Sequence, residues 1–432
     1  MIKYNLFLSL LSLHLTFSQP LYQSEPTVRV KILNHSDTLK ILFNDDWFVT
    51  SESKAKLFLP EDREIIFTAE NDRVNVFKKD DESFITEESF ILKSASDTGT
   101  LVIKNVPFGV GWWWEGKEDR VYEGELQVYA TEKNKFEVVV HLPLEQYLKG
   151  VVPYEIGPDS PIEALKAQAV AARSEAIIAL TSKLYSGEHY DLTSDVECQV
   201  FSGNRRRTEK SDLAVDQTRA LILSENGKPI NAYYASNCGG HSELIKNVWG
   251  DRPAPQSYSI SQFDWEKQND LDLSIEENIR EWIFSNPPSY CNPNINHELP
   301  EWSQSNFRWK REFAFDETAK MISKGKDLGN LIDIIILNRG TSSRAYLAEF
   351  VFEKEKIEVG GELKIRQMFS PPLRSSCFVV DKTETGFILH GAGWGHGVGM
   401  CQSGAITMAN NGHSFEEILN HYYRKAELQI IY

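Results

Sequence analysis

The chain has 432 residues, 41% hydrophobic and 25% charged, close to globular averages, which excludes a mostly disordered or fibrous protein. With 46 Lys and Arg against 62 Asp and Glu the net charge is −16. So acidic a protein lacks the cationic surface that nucleic-acid binding needs, and no nucleic-acid partner is expected.

The N-terminus, MIKYNLFLSLLSLHLTFSQP, carries one positive charge at Lys3, an apolar run from Leu6 to Leu13 and small residues at Thr16 and Ser18. This predicts a secretory signal peptide over residues 1–18 and an exported protein of the periplasm or cell envelope. The apolar run is short for a bilayer core of about 30 Å. An uncleaved signal anchor is the alternative, and the one membrane attachment expected. Export matters for Cys198, Cys238, Cys291, Cys377 and Cys401: an odd count leaves at least one thiol free, metal-bound or paired with another chain.

Residues 19–110 read as an N-terminal β-rich region. Alternating runs at Thr27–Leu33, Glu64–Ala69 and Arg73–Phe77 are separated by polar turns. The segment Gly109–Gly116, GVGWWWEG, holds three consecutive tryptophans that cannot share one face of a strand; they serve core and rim packing or a sugar-stacking platform. Val121–Ala130 and Lys135–His141 flank a polar EKNK connection and predict a hairpin.

Residues 111–432 are expected to form the main domain. Leu144, Tyr147, Leu148 and Val151 have helical spacing before Pro153, Gly157 and Pro158 break the chain. Ser160, Pro161 and Glu163 predict an N-cap, an N1 proline and a capping box. The Ala-rich helix that follows has a narrow stripe at Ile162, Leu165, Ala169, Ala172 and Ala176, suited to close packing. Residues 251–310, with PAPQ and NPPS segments and a helix capped by Ser274 with Glu277, read as an insertion: a surface excursion forming a lid or partner surface. Beyond it come a helix near Asp316–Lys324, strands near Leu331–Leu337 and Arg344–Phe352, a helix near Glu362–Met368 and a last helix capped by Ser414 with Glu417. The fold class expected is α+β: the β-rich region, then a mixed core with the Ala-rich helix on a mainly antiparallel sheet.

Four segments could carry chemistry. Glu155 lies in VVPYEIGPDS among Val151, Val152, Tyr154 and Ile156; a carboxyl so placed loses hydration of its charged form and becomes a better acid catalyst near neutral pH. The alternative is a solvent-facing loop glutamate. YYASNCGGHSE places Cys238 and His241 three apart across two glycines, half of a metal site. Cys401 or His396 could complete it, and a Cys238–Cys401 disulfide or unpaired thiols compete with that reading. In HGAGWGHGVGMCQSGA, glycine alternates from Gly391 to Gly399. Such a strand is stripped on one face, giving either close packing or, with Trp394 and His396, the floor of a polysaccharide groove. DLTSDVECQVFSG offers Gln199 and Ser202 as hydrogen-bonding groups for sugars. GxSxG, HExxH, Rossmann and EF-hand patterns are not found.

In order along the chain, YLKGVVPYEI, EALKAQAVAARSEA, DVECQVFSG, YYASNCGGHSE with VWG, LRSSCF, and WGHGVGMCQSGA with ILNHYY together resemble the stage II sporulation protein D family, which also contains the amidase-enhancer proteins. The resemblance runs from about Tyr147 to Tyr432, interrupted by the insertion. It implies a peptidoglycan lytic transglycosylase, which cuts the β-1,4 bond between N-acetylmuramic acid and N-acetylglucosamine of glycan strands stripped of stem peptides. The product is a 1,6-anhydro-muramyl end. The family's catalytic glutamate matches Glu155, and Gln199, Ser202, Ser236, Trp394 and His396 are candidate saccharide contacts. The chemistry requires no metal. Zinc is associated with some members, the motif match points to Cys238 and His241, and a bound zinc would be structural. A second reading is a noncatalytic glycan-binding module that recruits or stimulates a cell-wall amidase.

Overall fold

The computed structural model describes residues 20–36, 38–51, 56–59, 64–78, 81–96, 98–111, 115–131, 134–250 and 257–432. The signal peptide over residues 1–18 and the tryptophan triplet at 112–114 lie outside the described residues. No described helix is long and apolar enough to cross a membrane.

The chain folds as α+β, with mostly antiparallel sheets. Among the described residues twelve strands come first: β1 Thr27–Ser36, β2 Thr38–Phe43, β3 Trp47–Ser51, β4 Lys56–Leu59, β5 Glu64–Glu70, β6 Arg73–Lys78, β7 Asp81–Glu87, β8 Ser89–Ser94, β9 Thr100–Phe108, β10 Gly116–Glu123, β11 Glu125–Thr131 and β12 Lys135–Pro143. They make two sheets. One orders β1-β12-β11-β8-β3-β4, the other β10-β9-β2-β5-β6-β7. Alternation places Val28, Val30, Ile41, Phe43, Val49, Ile65, Phe67 and Leu92 inward, into one shared core. The boundary expected near residue 110 falls inside these sheets, because β10, β11 and β12 pair with β9, β8 and β1.

The predicted hairpin forms between β11 and β12, with Ala130 opposite Phe136. Its first arm is not one strand from Val121 to Ala130, because Gly124 sits at φ +94° between β10 and β11, which lie in different sheets. A Cβ there would come 2.5 Å from the His141 carbonyl oxygen. Glycine permits the crossing.

Two helices follow, α1 Leu144–Glu155 and α2 Ile162–Ser182. Pro153 does not end α1, which runs through it to Glu155. Two expected N-caps differ. Ser160 Oγ donates to the Ile156 carbonyl at 2.7 Å, leaving Pro161 at the N-cap of α2. Ser274 Oγ donates to Asp272, and Ile275 precedes the helix Glu276–Phe284. Ser414 forms its capping box with Glu417 as expected, and Thr208 forms another with Ser211 ahead of α3, Glu209–Gln217. Nor does α2 bury a single stripe. Gln168, Val170, Arg173, Ser174 and Ile177 are buried beside the expected alanines, because α1, α3, the strand Leu221–Glu225 and the helices Gln402–Asn410 and Phe415–Tyr422 surround it.

At the centre of that packing, Arg173 Nη2 and Nε reach the Glu145 carboxylate at 2.6 and 2.9 Å, and Arg173 Nη1 reaches the Leu221 carbonyl at 2.9 Å. Desolvation pushes Glu145 up, but Arg173's charge and hydrogen bonds outweigh it and hold the carboxyl below its ordinary value.

The C-terminal half adds two three-stranded sheets, Arg308–Ala314 with Gly386–Ala392 and Phe378–Lys382, and Leu331–Arg339 with Ala345–Phe352 and Lys356–Gly360. They share a second core of Trp309, Phe313, Phe350, Phe369, Phe378 and Leu389. The described part of the insertion is packed in rather than draped over the surface. Tyr258, Tyr290, Cys291 and Leu299 belong to the principal core, and Ser289 and Asn292 are fully buried.

Candidate functional site

Glu155 is the last residue of α1 and half-buried. Three bonds define its surroundings. The Val200 backbone N–H donates to Oε1 at 2.8 Å, and the side chains of Gln402 and Tyr234 also hydrogen-bond the carboxyl. Burial drives this carboxyl up to about 7, against those bonds.

Each partner is delivered by a distinct piece of architecture. Val200 follows the strand Leu192–Thr193, which pairs in parallel with β1 through Val30–Leu192 and Lys31–Thr193. Asp191 anchors that register by gripping the Arg29 guanidinium at 2.6 and 3.0 Å. Phe201 then packs on α1 at Gly150, where a Cβ would meet the Phe201 ring at 2.4 Å. Gly150→Ala is therefore expected to destabilise the fold by about 1–3 kcal/mol through overpacking, read as a lowered urea midpoint. Tyr234 and Gln402 arrive together because Tyr234–Ala235 pairs in parallel with Met400–Cys401, with Tyr234 opposite Met400. Gln402 Nε2 also donates to Gln168 Oε1 of α2 at 3.2 Å.

Burial keeps Glu155 protonated against its polar contacts, and those contacts extend through Tyr234 to Gln199. Gln199 Nε2 donates to the Ala172 carbonyl at 3.1 Å, which fixes its amide orientation and turns Oε1 toward Tyr234. The Tyr234 hydroxyl donates to that Oε1 at 2.9 Å. Gln199 thus competes with Glu155 for the single phenol proton; a phenol O–H given to Glu155 favours the ionised acid, while desolvation favours the neutral one.

The other expected contacts fall in three places. Gln199 is buried with both ends of its amide engaged inside the protein, so it positions Tyr234 rather than facing a ligand. Ser202 is wholly buried behind α1, its backbone N–H directed to the Gly150 carbonyl. Ser236, half-buried, accepts from Asn306 Nδ2 at 3.3 Å through Oγ. Trp394 pairs by backbone with Asn237, and the Arg374 guanidinium lies 5.9 Å from its ring. His396 lies 4.9 Å from the Trp249 ring, which itself stacks on Tyr233 at 4.3 Å. Burial, with Arg344 adding, drives His396 down to about 3; it is a neutral imidazole, unsuited to donate a proton as a cation.

The alternating glycines do not form a flat, open strand. The regular strand ends at Ala392, and Gly393, Gly395, Gly397 and Gly399 all have positive φ. A Cβ on Gly397 would lie 2.3 Å from the Arg344 guanidinium carbon, and one on Gly399 2.0 Å from the Tyr233 carbonyl. Close packing against the chain's own backbone explains these glycines, not a polysaccharide floor. Tyr234, Gln402 and Trp302 were not singled out from the sequence. Trp302 is 37% exposed, with its indole nitrogen 3.5 Å from where a Cβ on Gly157 would sit. It is an accessible aromatic beside Gly157, which lies two residues along from the acid.

The cysteines follow the sequence readings in part: the thiols are unpaired and Cys401 does come to Cys238, but His241 does not join them. All five are free thiols, so the Cys238–Cys401 disulfide is not formed. Cys238 instead gathers with Asp264, Cys291 and Cys401, whose ligand atoms all lie within 4.8 Å of one another. His241 is outside that group. Its Nδ1 is bonded to the Ser242 carbonyl, and burial drives it down to about 4.

Comparison with known proteins agrees with this architecture. Residues 132–224 match the family described as Stage II sporulation protein, and residues 243–399 match a domain of unknown function. An uncharacterised protein of Brachyspira hyodysenteriae is 32% identical over 311 residues, 71% of this chain and 72% of that protein. The stage II sporulation protein D of Bacillus amyloliquefaciens is 26% identical, over 73% of this chain and 82% of that protein. The amidase enhancer of Bacillus subtilis is 26% identical over 64% of this chain but 39% of its own length. The first match spans the helix that carries Glu155 and the segment that holds its carboxyl, and the chain belongs to the stage II sporulation protein D family, amidase enhancers included.

Proposed function

We propose that this protein acts on the bacterial cell wall as a lytic transglycosylase, cleaving the bond between N-acetylmuramic acid and N-acetylglucosamine in denuded glycan strands. The observation that carries the reading is Glu155, an acid driven up to about 7 and bonded by an amide N–H, a phenol and a carboxamide, none of them a second acid. Most glycosidases divide the work between two carboxyl groups. Here one group acts twice. Protonated Glu155 gives its proton to the glycosidic oxygen as the C1–O4 bond breaks. The muramyl 6-hydroxyl then closes on C1, forming the C1–O6 bond, and returns its proton to Glu155. No water enters the product, and the acid is regenerated.

The test is incubation of the purified protein with denuded strands and mass spectrometry of the soluble products. Anhydro-muramyl ends are expected from the wild type and not from Glu155→Gln. The relative named amidase enhancer supports a second reading, a glycan-binding partner of an amidase. Its signature is amidase stimulation that survives Glu155→Gln, with no anhydro product from either protein.

Gln199 acts through Tyr234, as a positioning residue. In Gln199→Met the Tyr234 hydroxyl is free to donate to Glu155, which favours the ionised acid. The pH above which cleavage falls should move downward in this variant, while Tyr234→Phe should not reproduce that shift. An unchanged pH profile in Gln199→Met would remove Gln199 from the mechanism.

A further inference from the structure

We infer that Cys238, Asp264, Cys291 and Cys401 form a structural zinc site that ties the 251–310 insertion to the two motifs flanking Glu155. All four residues are buried. Cys238 Sγ lies 3.6 Å from Cys291 Sγ and 3.3 Å from Asp264 Oδ2. Tetrahedral zinc with Zn–S near 2.3 Å and Zn–O near 2.0 Å separates ligand atoms by about 3.5–3.8 Å, so these spacings suit one ion at the centre. The sulfurs are too far apart for a disulfide, and thiolates select zinc over hard cations.

The surroundings favour an anionic site. Three thiolates and a carboxylate around one Zn²⁺ leave two net negative charges, the three thiol protons passing to solvent on binding. The Arg308 and Arg344 guanidinium groups donate to the Gly239 and Cys238 carbonyls at 2.8 and 3.2 Å, bringing two positive charges to the ligand-bearing turn. Asp264 is oriented from its other oxygen: Oδ1 accepts from the Tyr422 hydroxyl at 2.9 Å and meets His421 Nε2 at 3.2 Å. Orientation of a ligand by outer partners is typical of metal sites. Gly404 leaves room for this carboxylate, since a Cβ there would lie 2.8 Å from Asp264 Oδ2.

The four ligands come from three parts of the chain that no disulfide joins. Cys238 lies three residues after Ala235, Asp264 and Cys291 lie in the insertion, and Cys401 immediately precedes Gln402, which reaches Glu155. An ion here holds those parts together without touching the acid.

Elemental analysis of the full-length protein, purified without chelator, should find about one zinc per chain. Cobalt substitution should give a thiolate-to-cobalt band in the near ultraviolet. Cys291→Ser and Asp264→Asn should each weaken binding by at least about tenfold, while Cys198→Ser and Cys377→Ser should keep the full metal content. Because a ligand variant can fail to fold, the wild type supplies an independent readout: a thiol-blocking mercurial should release the ion. Metal-free protein, a disulfide joining any two of the three cysteines, or zinc that stays after mercurial treatment would overturn the site. None of these measurements involves glycan, so the site can fail while the lytic reading stands, and the reverse.

Discussion

Glu155→Gln is expected to lower glycan cleavage by about 10²–10⁴-fold, the usual contribution of one general acid–base group, while the fold persists. The amide keeps the shape of the side chain and can still accept from the Val200 N–H, but it has no proton to give. In the wild type, cleavage should decline as pH rises through about 7, where the acid loses its proton. The same substitution has a stability signature. The carboxyl titrates near 7 in the folded chain and near 4.3 when unfolded. The folded state therefore holds the proton more tightly, and the stability this confers is complete below the unfolded value and lost as pH rises through about 7. Glu155→Gln has nothing to ionise. Its advantage over the wild type should grow between about pH 4 and 7 and level off at up to about 4 kcal/mol. Chemical denaturation of both proteins at pH 4.5 and pH 8 measures this. An equal difference at the two pH values would mean that the acid is not held in a poorly hydrated place.

Arg173→Ala is expected to be the most damaging single change outside the site. It strands the Glu145 carboxylate, 3% exposed, without its counter-charge, and breaking one side of a buried pair costs about 3–5 kcal/mol. That is a large fraction of the 5–15 kcal/mol by which domains are usually stable. Soluble yield and urea midpoint should both fall steeply. Glu145→Leu combined with Arg173→Met should recover much of the loss, because two apolar groups of similar volume leave no unpaired charge. The stranded charge, not the missing contacts of the arginine, is then the source of the damage.

Local patterns were legible where one interaction decides the outcome. The Ser414 and Glu417 spacing gave a true capping box, and Glu155 stood out because its neighbours Val151, Val152 and Ile156 are apolar and are buried. Other readings failed where another partner or another backbone conformation competes. Ser160 and Ser274 have the right spacing for caps but bond elsewhere, to the Ile156 carbonyl and to Asp272. Alternating glycines looked like a bare strand face, yet positive φ and contacts with Tyr233 and Arg344 use them to thread a loop. The sulfur-rich cluster could not be assembled by spacing: Cys238 and His241 are close in sequence, whereas Asp264, Cys291 and Cys401 meet Cys238 only through the fold. Tyr234 and Gln402 were hidden for the same reason, since their approach to Glu155 depends on the pairing of Tyr234 with Met400.

The pairing of Leu192–Thr193 with β1 bears on how the protein can be dissected. The Asp191 and Ser194 amides donate to the Arg29 and Lys31 carbonyls at 2.8 and 3.1 Å, so the N-terminal sheet works as a jig against which the segment leading to Val200 is set. A shortened version beginning at α1 would keep every reactive group. It would nonetheless leave that segment without its template and the carboxyl of Glu155 without a fixed amide beside it. The boundary of the working unit is therefore drawn by backbone pairing and not by where the reactive side chains begin.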